Sequence, residues 1–335
     1  MDKPAPAPQV LDNLPVCFKI DEAALVPGAA SPTPACAMWT GVFYGTYHGS
    51  PVLIKEAALA DDAKQREIYR VVRLAMDMYH PNIAQFFGVS FNNPEKKRVR
   101  LVIERLERGD LAAILASDEE LSVQRCVQIM CDVACAMSYL HAQAKPILHR
   151  DLRAANVHIS HDYRAKLVNF EFGGKLGLDK TLIGTPAWAA PEILAGDADY
   201  TEKVDVYSFA MLMIEIMNRK VPYSEEPNDL PARMLLEQIV MQARRPRIME
   251  RERWPRPLLH LVDSCWQKDP TVRPSFDGIA TKLHAILKPP SSPTKRLNSA
   301  RSTKVGTTTG SVEDSEDGNA KRARCAVDSR DDPST

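Results

Sequence analysis

The sequence predicts an α+β fold of two lobes, in which a small antiparallel sheet with one helix precedes a larger, mainly helical lobe. Short β-rich segments separated by turn signals fill residues 18–104, whereas helical periodicity dominates from Leu111 onward. The chain has 335 residues, which is enough for one large domain or two medium domains with a full core.

The first lobe is predicted from segments with strand composition. Gly41–Tyr47 and Pro51–Ala57 are β-rich and flank His48-Gly49-Ser50, a turn signal, so they predict a hairpin. The apolar spacing of Phe18–Val26 predicts a first strand, and the Pro, Gly and Ala of Pro27–Pro34 predict a loop. The remaining predicted elements of this lobe are a helix at Ala63–Met78 and strands at Ile83–Val89 and Val99–Glu104.

The second lobe is predicted to be built on two very apolar helices. Val123–His141 has apolar residues at i, i+3, i+4 and i+7, and Val204–Met217 is apolar almost throughout. Ala165–Phe170 predicts a short strand between them, and helical patterns continue to Leu287. Residues 288–335 are Pro, Ser, Thr and mixed charge, so they bury too little apolar surface to offset the entropy of ordering and are predicted to be disordered.

Composition excludes several classes of partner. The formal net charge of +0 gives no global field for nucleic acid or an anionic membrane. No apolar run reaches the roughly 18 residues of a membrane span, and Met1-Asp2-Lys3-Pro4 does not begin a secretory signal.

Residues 1–16 alternate Pro and Ala and are predicted to be disordered. The chain is expected in the cytoplasm, and Lys321-Arg322-Ala323-Arg324 leaves the nucleus open.

The cysteines indicate a reducing compartment. There are 7 of them, an odd number, scattered and without a CxxC pair. Cys131 and Cys135 lie one helical turn apart, with Cys126 nearby, in a helix predicted to be buried. We interpret them as core thiols rather than as a metal or redox site.

One stretch carries most of the functional signal. Leu148–Asn156 reads Leu-His-Arg-Asp-Leu-Arg-Ala-Ala-Asn, with Asp151 five residues before Asn156, so one tight loop can aim both side chains at the same group. This stretch resembles the catalytic loop of protein kinases. In that family the Asp accepts the proton of the substrate hydroxyl and the Asn ligates Mg²⁺.

From about residue 17 to residue 287 the chain resembles one protein kinase domain of the tyrosine-kinase-like group, with lobes at about 17–106 and 107–287. The resemblance implies ATP and Mg²⁺ as cofactors and a protein as substrate or regulated partner. The residues that it assigns to catalysis are Lys55, Asp151, Arg153 and Asn156. The residues that it places around the nucleotide are Val42, Leu53, Lys55, Ile103, Glu104, Leu106 and His158.

Motifs of the second lobe extend the resemblance. Asp205 begins the motif Asp-Val-Tyr-Ser-Phe, whose Asp fastens the catalytic loop in this family, and Arg273 is implied to pair with Glu192. Residues 153–156 resemble tyrosine-specific kinases, whereas Gly184-Thr185-Pro186 resembles serine/threonine-specific ones. If the domain is active, Ser/Thr specificity is favoured. Phosphorylation of Thr181 could order the segment through Arg150, and an unmodified threonine is the alternative.

The resemblance breaks where metal and nucleotide are bound. The family's magnesium Asp lies 18 residues after the catalytic Asp, which here is Asn169 in Asn169-Phe170-Glu171. The metal ligands are therefore predicted to be Asn156 and Asn169, but Mg²⁺ prefers anionic oxygen. Loss of one preorganised group costs about 10²–10³ in rate. A shifted triplet, Glu171-Phe172-Gly173, remains an alternative source of a carboxylate.

The nucleotide site departs from the family in the same way. The positions that match the phosphate-binding glycines are Ala35, Ala37 and Thr40, where a Cβ obstructs the approach of phosphate to backbone N–H groups. A shifted register through Tyr47 leaves too few residues before Lys55. Leu53 and His158 replace an Ala and a Leu of the family's adenine site, and the alternative is sequence drift with repacking of the site.

The family has a helix glutamate that pairs with the lysine. The position matching this glutamate is Val71 here, and Glu67, one turn earlier, is the alternative partner of Lys55.

These departures leave two hypotheses. The first is a pseudokinase-type regulatory module that binds protein partners and binds Mg–ATP weakly or not at all. The second is an active, atypical serine/threonine kinase that transfers the γ-phosphate of ATP to protein hydroxyls.

Overall fold

Five antiparallel strands form the sheet of the first lobe; the first three along the chain lie side by side, and the fifth and then the fourth follow. The structure is a computed structural model and describes residues 14–31, 38–92, 98–175, 185–224 and 232–288. The strands are β1 Leu25–Ala30, β2 Gly41–Tyr47, β3 Ser50–Ala58, β4 Phe86–Asn92 and β5 Arg98–Glu104. The predicted hairpin is confirmed, because β2 and β3 pair from Gly41↔Glu56 to Tyr47↔Ser50.

One helix, α1 (Asp62–Met76), packs on this sheet. It begins where the side chain of Asp61 accepts a hydrogen bond from the backbone N–H of Lys64 (2.8 Å). Its buried residues Ile68 and Val72 contact the sheet core. The prediction of five strands and one helix in this lobe is confirmed.

The start of the lobe differs from the prediction. Residues 18–24 are not a strand, because short 3₁₀ helices cover Val16–Phe18 and Glu22–Ala24, the second of them capped by Asp21. β1 instead extends into the predicted loop and ends at Ala30. Gly28 lets β1 approach β2 closely, because a Cβ on residue 28 would lie 2.9 Å from the Tyr44 carbonyl oxygen. Leu14 is buried against the sheet core, so the packed region begins before residue 17.

The second lobe is built around α3 (Val123–His141), whose predicted bounds are confirmed, and α5 (Lys203–Asn218). Every residue of α5 from Val204 to Met217 is buried. The other helices are α2 Leu111–Ala116, α4 Pro191–Leu194, α6 Ala232–Met241, α7 Arg256–Cys265 and α8 Phe276–Leu287. The two-lobed α+β fold is therefore confirmed.

Two small sheets position the loops between the lobes. β6 (Ile147–Leu148) pairs with β9 (Gly174–Lys175), and β7 (Val157–Ile159) pairs with β8 (Ala165–Leu167). The strand predicted at Ala165–Phe170 thus ends at Leu167, and the pairings bring residues 148–156 beside residues 168–173.

Several predictions fall outside the described residues. They concern Ala35, Ala37, Thr181, most of residues 1–16 and nearly all of the C-terminal tail. Within the described ranges, no helix combines the length and the apolar character that crossing a membrane requires.

Candidate active site

Asp205 anchors the loop that carries Asp151. Its carboxylate is fully buried and accepts hydrogen bonds from the backbone N–H groups of His149 (2.9 Å) and Arg150 (2.8 Å). The Nε2 atom of His141 lies 3.0 Å from the same carboxylate. Burial alone would raise the pKa of Asp205, but the contacts with His141 and Arg150 outweigh it and lower the pKa. The fastening role predicted for Asp205 is confirmed.

His149 connects this loop to the segment after β8. Its Nε2 lies 3.1 Å from the Val168 carbonyl oxygen, and its Nδ1 lies 3.3 Å from the backbone N–H of Asp151, which donates to it. With Nδ1 as acceptor, Nε2 carries the proton and donates to Val168. The rings of His149 and Phe170 lie 4.9 Å apart. The two segments are therefore joined by this ring contact as well as by the hydrogen bond.

A continuous chain of hydrogen bonds joins Lys55 to Asp151 through two asparagines. Lys55 Nζ donates to Asn169 Oδ1 (2.5 Å), and Asn169 Nδ2 donates to Asn156 Oδ1 (2.7 Å). Asn156 Nδ2 in turn donates to Asp151 Oδ2 (2.6 Å) and to the Asp151 carbonyl (2.7 Å). The two residues that the sequence predicts as metal ligands therefore bond to each other.

Asp151 has further partners in the same site. Thr185 Oγ1 donates to Asp151 Oδ1 (2.9 Å), and Arg153 Nε lies 3.2 Å from Asp151 Oδ2. Both carboxylate oxygens are thus hydrogen-bonded, and the residue is buried. The structure brings Lys55, Asp151, Arg153 and Asn156 into one network.

The Lys55 ammonium is paired with Glu171, a carboxylate from the segment after β8. The two residues are 6% and 4% exposed, and Lys55 Nζ donates to Glu171 Oε1. The indole N–H of Trp39 donates to the same oxygen (2.7 Å), and Lys55 Nζ lies 5.5 Å from the Trp39 ring centroid. Burial would raise the pKa of Glu171, but the Lys55 charge and the two hydrogen bonds lower it. Lys55 and Glu171 therefore form a buried salt bridge.

Helix α1 contributes a cation to this site instead of a carboxylate. Arg70 donates to the carbonyl oxygens of Glu171 (2.5 Å) and Gly173. Glu67, the alternative partner of Lys55, is instead 3.0 Å from Lys64, and its side chain is 44% exposed. Val71, the ungapped match, is buried in the sheet core. The carboxylate beside Lys55 thus comes from the segment after β8, and the helix holds that segment by its backbone.

Comparison with known proteins places this geometry in a family. The family model described as protein tyrosine and serine/threonine kinase matches residues 36–283. The chain belongs to the protein kinase family. Its kinase domain is similar to three Dictyostelium discoideum proteins, each of which is longer than this chain.

The first similar kinase is the probable serine/threonine-protein kinase drkC, 35% identical over 256 residues, covering 73% of this chain and 33% of drkC. The second is the probable serine/threonine-protein kinase drkD, 33% identical over 254 residues, covering 73% of this chain and 19% of drkD. The third is the dual specificity protein kinase shkD, 33% identical over 223 residues, covering 64% of this chain and 28% of shkD. The chain spans about a third or less of the length of these kinases.

The donor set of this kinase domain does not fit Mg²⁺ as it is arranged. Asn156 and Asn169 offer neutral amide oxygens, and both oxygens already accept hydrogen bonds. Glu171, the alternative carboxylate, is paired with Lys55 and bonded by Trp39. Mg²⁺ in kinases is held by an Asp carboxylate, an Asn amide oxygen and phosphate oxygens in near-octahedral geometry, so one anionic protein ligand is required. A cation entering here would have to displace protein hydrogen bonds without gaining an unpaired carboxylate.

Neighbouring strands carry the apolar residues that the sequence places around the nucleotide. Val42 lies opposite Lys55 in the β2–β3 register, and Leu53 lies opposite Ile103 in the β3–β5 register. Leu53 and Leu106 are buried. The strand register therefore places Val42, Leu53 and Ile103 on neighbouring strands beside Lys55.

The two polar positions of that set have different surroundings. Glu104 donates its backbone N–H to Gln85 (2.8 Å), and its carboxylate lies 2.6 Å from Lys166 Nζ. His158 is buried, and its Nε2 has no hydrogen-bond partner within the described part of the chain. Burial lowers the pKa of His158 to about 4, so the ring is neutral at physiological pH.

A small cavity lies beside the Lys55–Glu171 pair. Its volume is about 50 Å³, which admits a few water molecules and is far below the roughly 300 Å³ of small-molecule pockets. Among its lining residues are Trp39, Lys55, Val71, Ile103, Phe170 and Glu171. The Trp39 indole and the Lys55–Glu171 salt bridge therefore form part of the wall of this cavity.

Glu215, on α5, supports the loop of residues 148–156. Its Oε2 accepts hydrogen bonds from the backbone N–H of Ala154 (2.9 Å) and from the indole of Trp188 (2.8 Å). Burial raises the pKa of Glu215 from 4.5 to about 7. The folded state therefore binds more protons than the unfolded state between pH 4.5 and 7, and stability falls as the pH rises through this range.

We expect Glu215→Gln to remove this pH dependence. Glutamine can accept the same hydrogen bonds without ionising, so the variant should avoid a loss of up to about 3 kcal/mol in the free energy of unfolding. Urea denaturation at a series of pH values between 4.5 and 7 measures the effect. Glu250→Gln, at an exposed carboxylate, is the control and should keep the wild-type profile. Equal pH slopes for wild type and Glu215→Gln would contradict the prediction.

Sequence reasoning missed the roles of Trp39, Arg70 and Glu215, and it did not pair Glu171 with Lys55. A signal existed for the last of these. Glu171 is a glutamate where the family motif has glycine, in a chain whose α1 offers Val71 at the matching helix position. Trp39 and Arg70 act through contacts between segments remote in sequence, so local patterns did not reveal them.

Proposed function

We propose that this kinase domain is a pseudokinase-type signalling module of the tyrosine-kinase-like group. It binds protein partners and transfers phosphate from Mg–ATP weakly or not at all. The observation that carries the proposal is a closed polar network. In it, Lys55 forms a salt bridge with Glu171, and Asn169 donates a hydrogen bond to Asn156. The unit that performs this role is proposed to be residues 17–287.

Electrostatics supports the proposal. Phosphoryl transfer depends on positioning and on neutralising the charge of the phosphates. Here the buried Glu171 already neutralises Lys55, and a polyphosphate brought to Lys55 would lie beside that carboxylate. Two like charges in a buried site repel strongly, because the effective dielectric is low. The neutral Asn169 adds no charge that would attract a cation to offset this repulsion.

Asn169→Asp tests the proposal. The backbone φ of residue 169 is +64°, a conformation that Asn and Asp tolerate better than other non-glycine residues, so the exchange keeps the backbone. We expect wild type to gain no thermal stability from ATP with Mg²⁺ over ATP alone. Asn169→Asp should gain stability that depends on both, up to about 2.7 kcal/mol at a hundred times the Kd. Differential scanning fluorimetry with each ligand alone and together measures this.

The matched control is Asn169→Leu, which breaks the hydrogen-bond chain without adding charge. A gain in Asn169→Asp that is absent in Asn169→Leu assigns the effect to the carboxylate. Phosphate transfer by wild type that disappears in Asp151→Ala would refute the proposal.

A second candidate function is an active, atypical serine/threonine kinase with ATP and Mg²⁺ as cofactors. The contact between Thr185 and Asp151 favours it, because Thr185 belongs to the Gly-Thr-Pro motif of serine/threonine kinases. The names of drkC and drkD as probable serine/threonine-protein kinases are consistent with it. In that case Asp151, anchored by Asp205, accepts the proton of a protein hydroxyl, and Lys55 clamps the phosphates. Asn156 with Asn169 or Glu171 would then hold the metal in exchange for their present hydrogen bonds.

The proposed setting is the cytoplasm, with the nucleus as the alternative. The formal net charge of +0 argues against nucleic acid as a partner. A protein substrate or a regulated protein is therefore the proposed partner class.

A further inference from the structure

Two thiols and an imidazole converge between α3 and α8, away from the site described above. Cys131 and Cys135 lie on α3, and His284 lies on α8. One potential ligand atom from each residue lies within 4.8 Å of the other two. The two helices pack together, as shown by the ring contact of His141 with Phe276 at 5.0 Å.

The helical spacing of the cysteines disfavours a disulfide and suits a metal ion. Residues at i and i+4 on a helix have Cβ atoms about 5–6 Å apart, whereas a disulfide needs about 3.5–4.5 Å. A tetrahedral ion with Zn–S bonds of about 2.3 Å holds its sulfur atoms roughly 3.8 Å apart. Small side-chain rotations of Cys131 and Cys135 therefore suffice to bring both sulfur atoms onto one ion.

The orientation of His284 supports ligation. Its Nδ1 lies 2.9 Å from the carbonyl oxygen of Ala280, an acceptor, so Nδ1 carries the proton and Nε2 keeps its lone pair. Metal-bound histidines have the same arrangement, in which the second ring nitrogen donates to a carbonyl or carboxylate. Because His284 is exposed while Cys131 is buried, the cluster opens to solvent on one side.

The two thiols share a hydrogen bond that shifts their pKa values in opposite directions. This hydrogen bond, followed by burial, raises the pKa of Cys131. The hydrogen bond from Cys131 lowers the pKa of Cys135 to about 7, and the nearby His284 contributes in the same direction. By contrast, burial raises the pKa of Cys126, another thiol of the same helix, to about 11. Thiolate is the form that binds metal, so Cys131 has to lose its proton to solvent as the ion binds, and Cys126 lies outside the cluster.

We propose that Cys131, Cys135 and His284 form a binding site for Zn²⁺, which replaces the interpretation of these two cysteines as core thiols, because the fold adds His284 to them. Two thiolates and one imidazole are ligands typical of Zn²⁺, and water completes the tetrahedral coordination. Binding releases the two thiol protons to solvent and forms two Zn–S bonds and one Zn–N bond, with no change of oxidation state. The ion links the C-terminal helix α8 to the core helix α3, and the site is independent of the kinase chemistry.

Cobalt substitution of the full-length, metal-stripped protein tests the site. Co²⁺ bound by thiolates in tetrahedral geometry gives a sulfur-to-cobalt charge-transfer band and intense visible absorption. We expect both signals at one equivalent, and we expect Zn²⁺ to abolish them. Cys131→Ser, Cys135→Ser and His284→Ala should each weaken binding by at least about 100-fold, since loss of an outer-shell partner alone costs about 10–100-fold.

Cys126→Ser is the matched control and should bind Co²⁺ like wild type. Zn²⁺ should also raise the Tm of wild type and of Cys126→Ser, but not of His284→Ala, whose exposed side chain is not needed for folding. Absence of the charge-transfer band, or wild-type affinity in any of the three ligand variants, would overturn the proposal.

Discussion

Replacing Glu171 with leucine should lower the free energy of unfolding by about 3–5 kcal/mol. The substitution leaves the Lys55 ammonium buried, with Asn169 as an acceptor but no anion beside it. It also removes the acceptor of the Trp39 indole N–H. Removing one partner of a buried ion pair costs far more than the pair itself contributes, because the remaining charge stays desolvated. Urea denaturation followed by circular dichroism measures the loss.

Two further variants test whether the loss of stability in Glu171→Leu comes from the buried ion pair. Adding Lys55→Met to Glu171→Leu should restore much of the lost stability, since an apolar pair can replace a buried ion pair at little cost. Glu67→Leu removes the carboxylate of an exposed pair on α1 and should change stability by less than about 1 kcal/mol. If Glu171→Leu costs no more than Glu67→Leu, the buried ion pair does not exist in solution.

Replacing Arg273 with leucine should also cost about 3–5 kcal/mol. Arg273 is 2% exposed and binds Glu192 through both ends of its guanidinium group, at 2.6 and 2.9 Å. Its Nε donates to the carbonyl oxygen of Gln267 (2.8 Å), and Nη1 donates to that of Lys203 (3.0 Å). The substitution would leave a carboxylate and several carbonyl groups without donors. Urea denaturation reports the difference.

Two control variants show which property of Arg273 matters. Arg273→Lys separates its charge from its bidentate geometry, and Arg251→Leu removes an arginine at an exposed position. Lysine keeps the charge but cannot form the two parallel bonds, so Arg273→Lys should lose an intermediate amount of stability. Arg251 is half exposed and lies 3.8 Å from Asp263, so Arg251→Leu should cost less than about 1 kcal/mol. Wild-type stability in Arg273→Lys would show that the bidentate geometry is not required.

Periodicity predicted the elements of this fold well where one pattern dominated. The bounds of α3 follow from its apolar positions, and the β2–β3 hairpin follows from the turn at residues 48–50. Prediction failed at residues 18–30, where Asp21 caps a short helix and Gly28 allows a strand through a Pro/Gly-rich segment. These outcomes depend on one side-chain bond and one close approach, which hydrophobic patterns do not encode.

The candidate site was predictable where a residue acts through its position in a motif. Asp205, and the Arg273–Glu192 pair, could be read from the sequence because their partners lie at fixed places in a known framework. The partner of Lys55 could not, because Glu171 lies 116 residues away and the matching helix position holds no acid. Only the folded arrangement shows which of several carboxylates reaches the buried ammonium.

The contact between Arg70 and the backbone of residues 171–173 determines how α1 could transmit a regulatory signal. A binding protein that rotates this helix would pull the segment after β8 through its carbonyl groups. Because Glu171 belongs to this segment, the pull would also reach the Lys55–Glu171 ion pair, and the communication would run from helix to loop backbone.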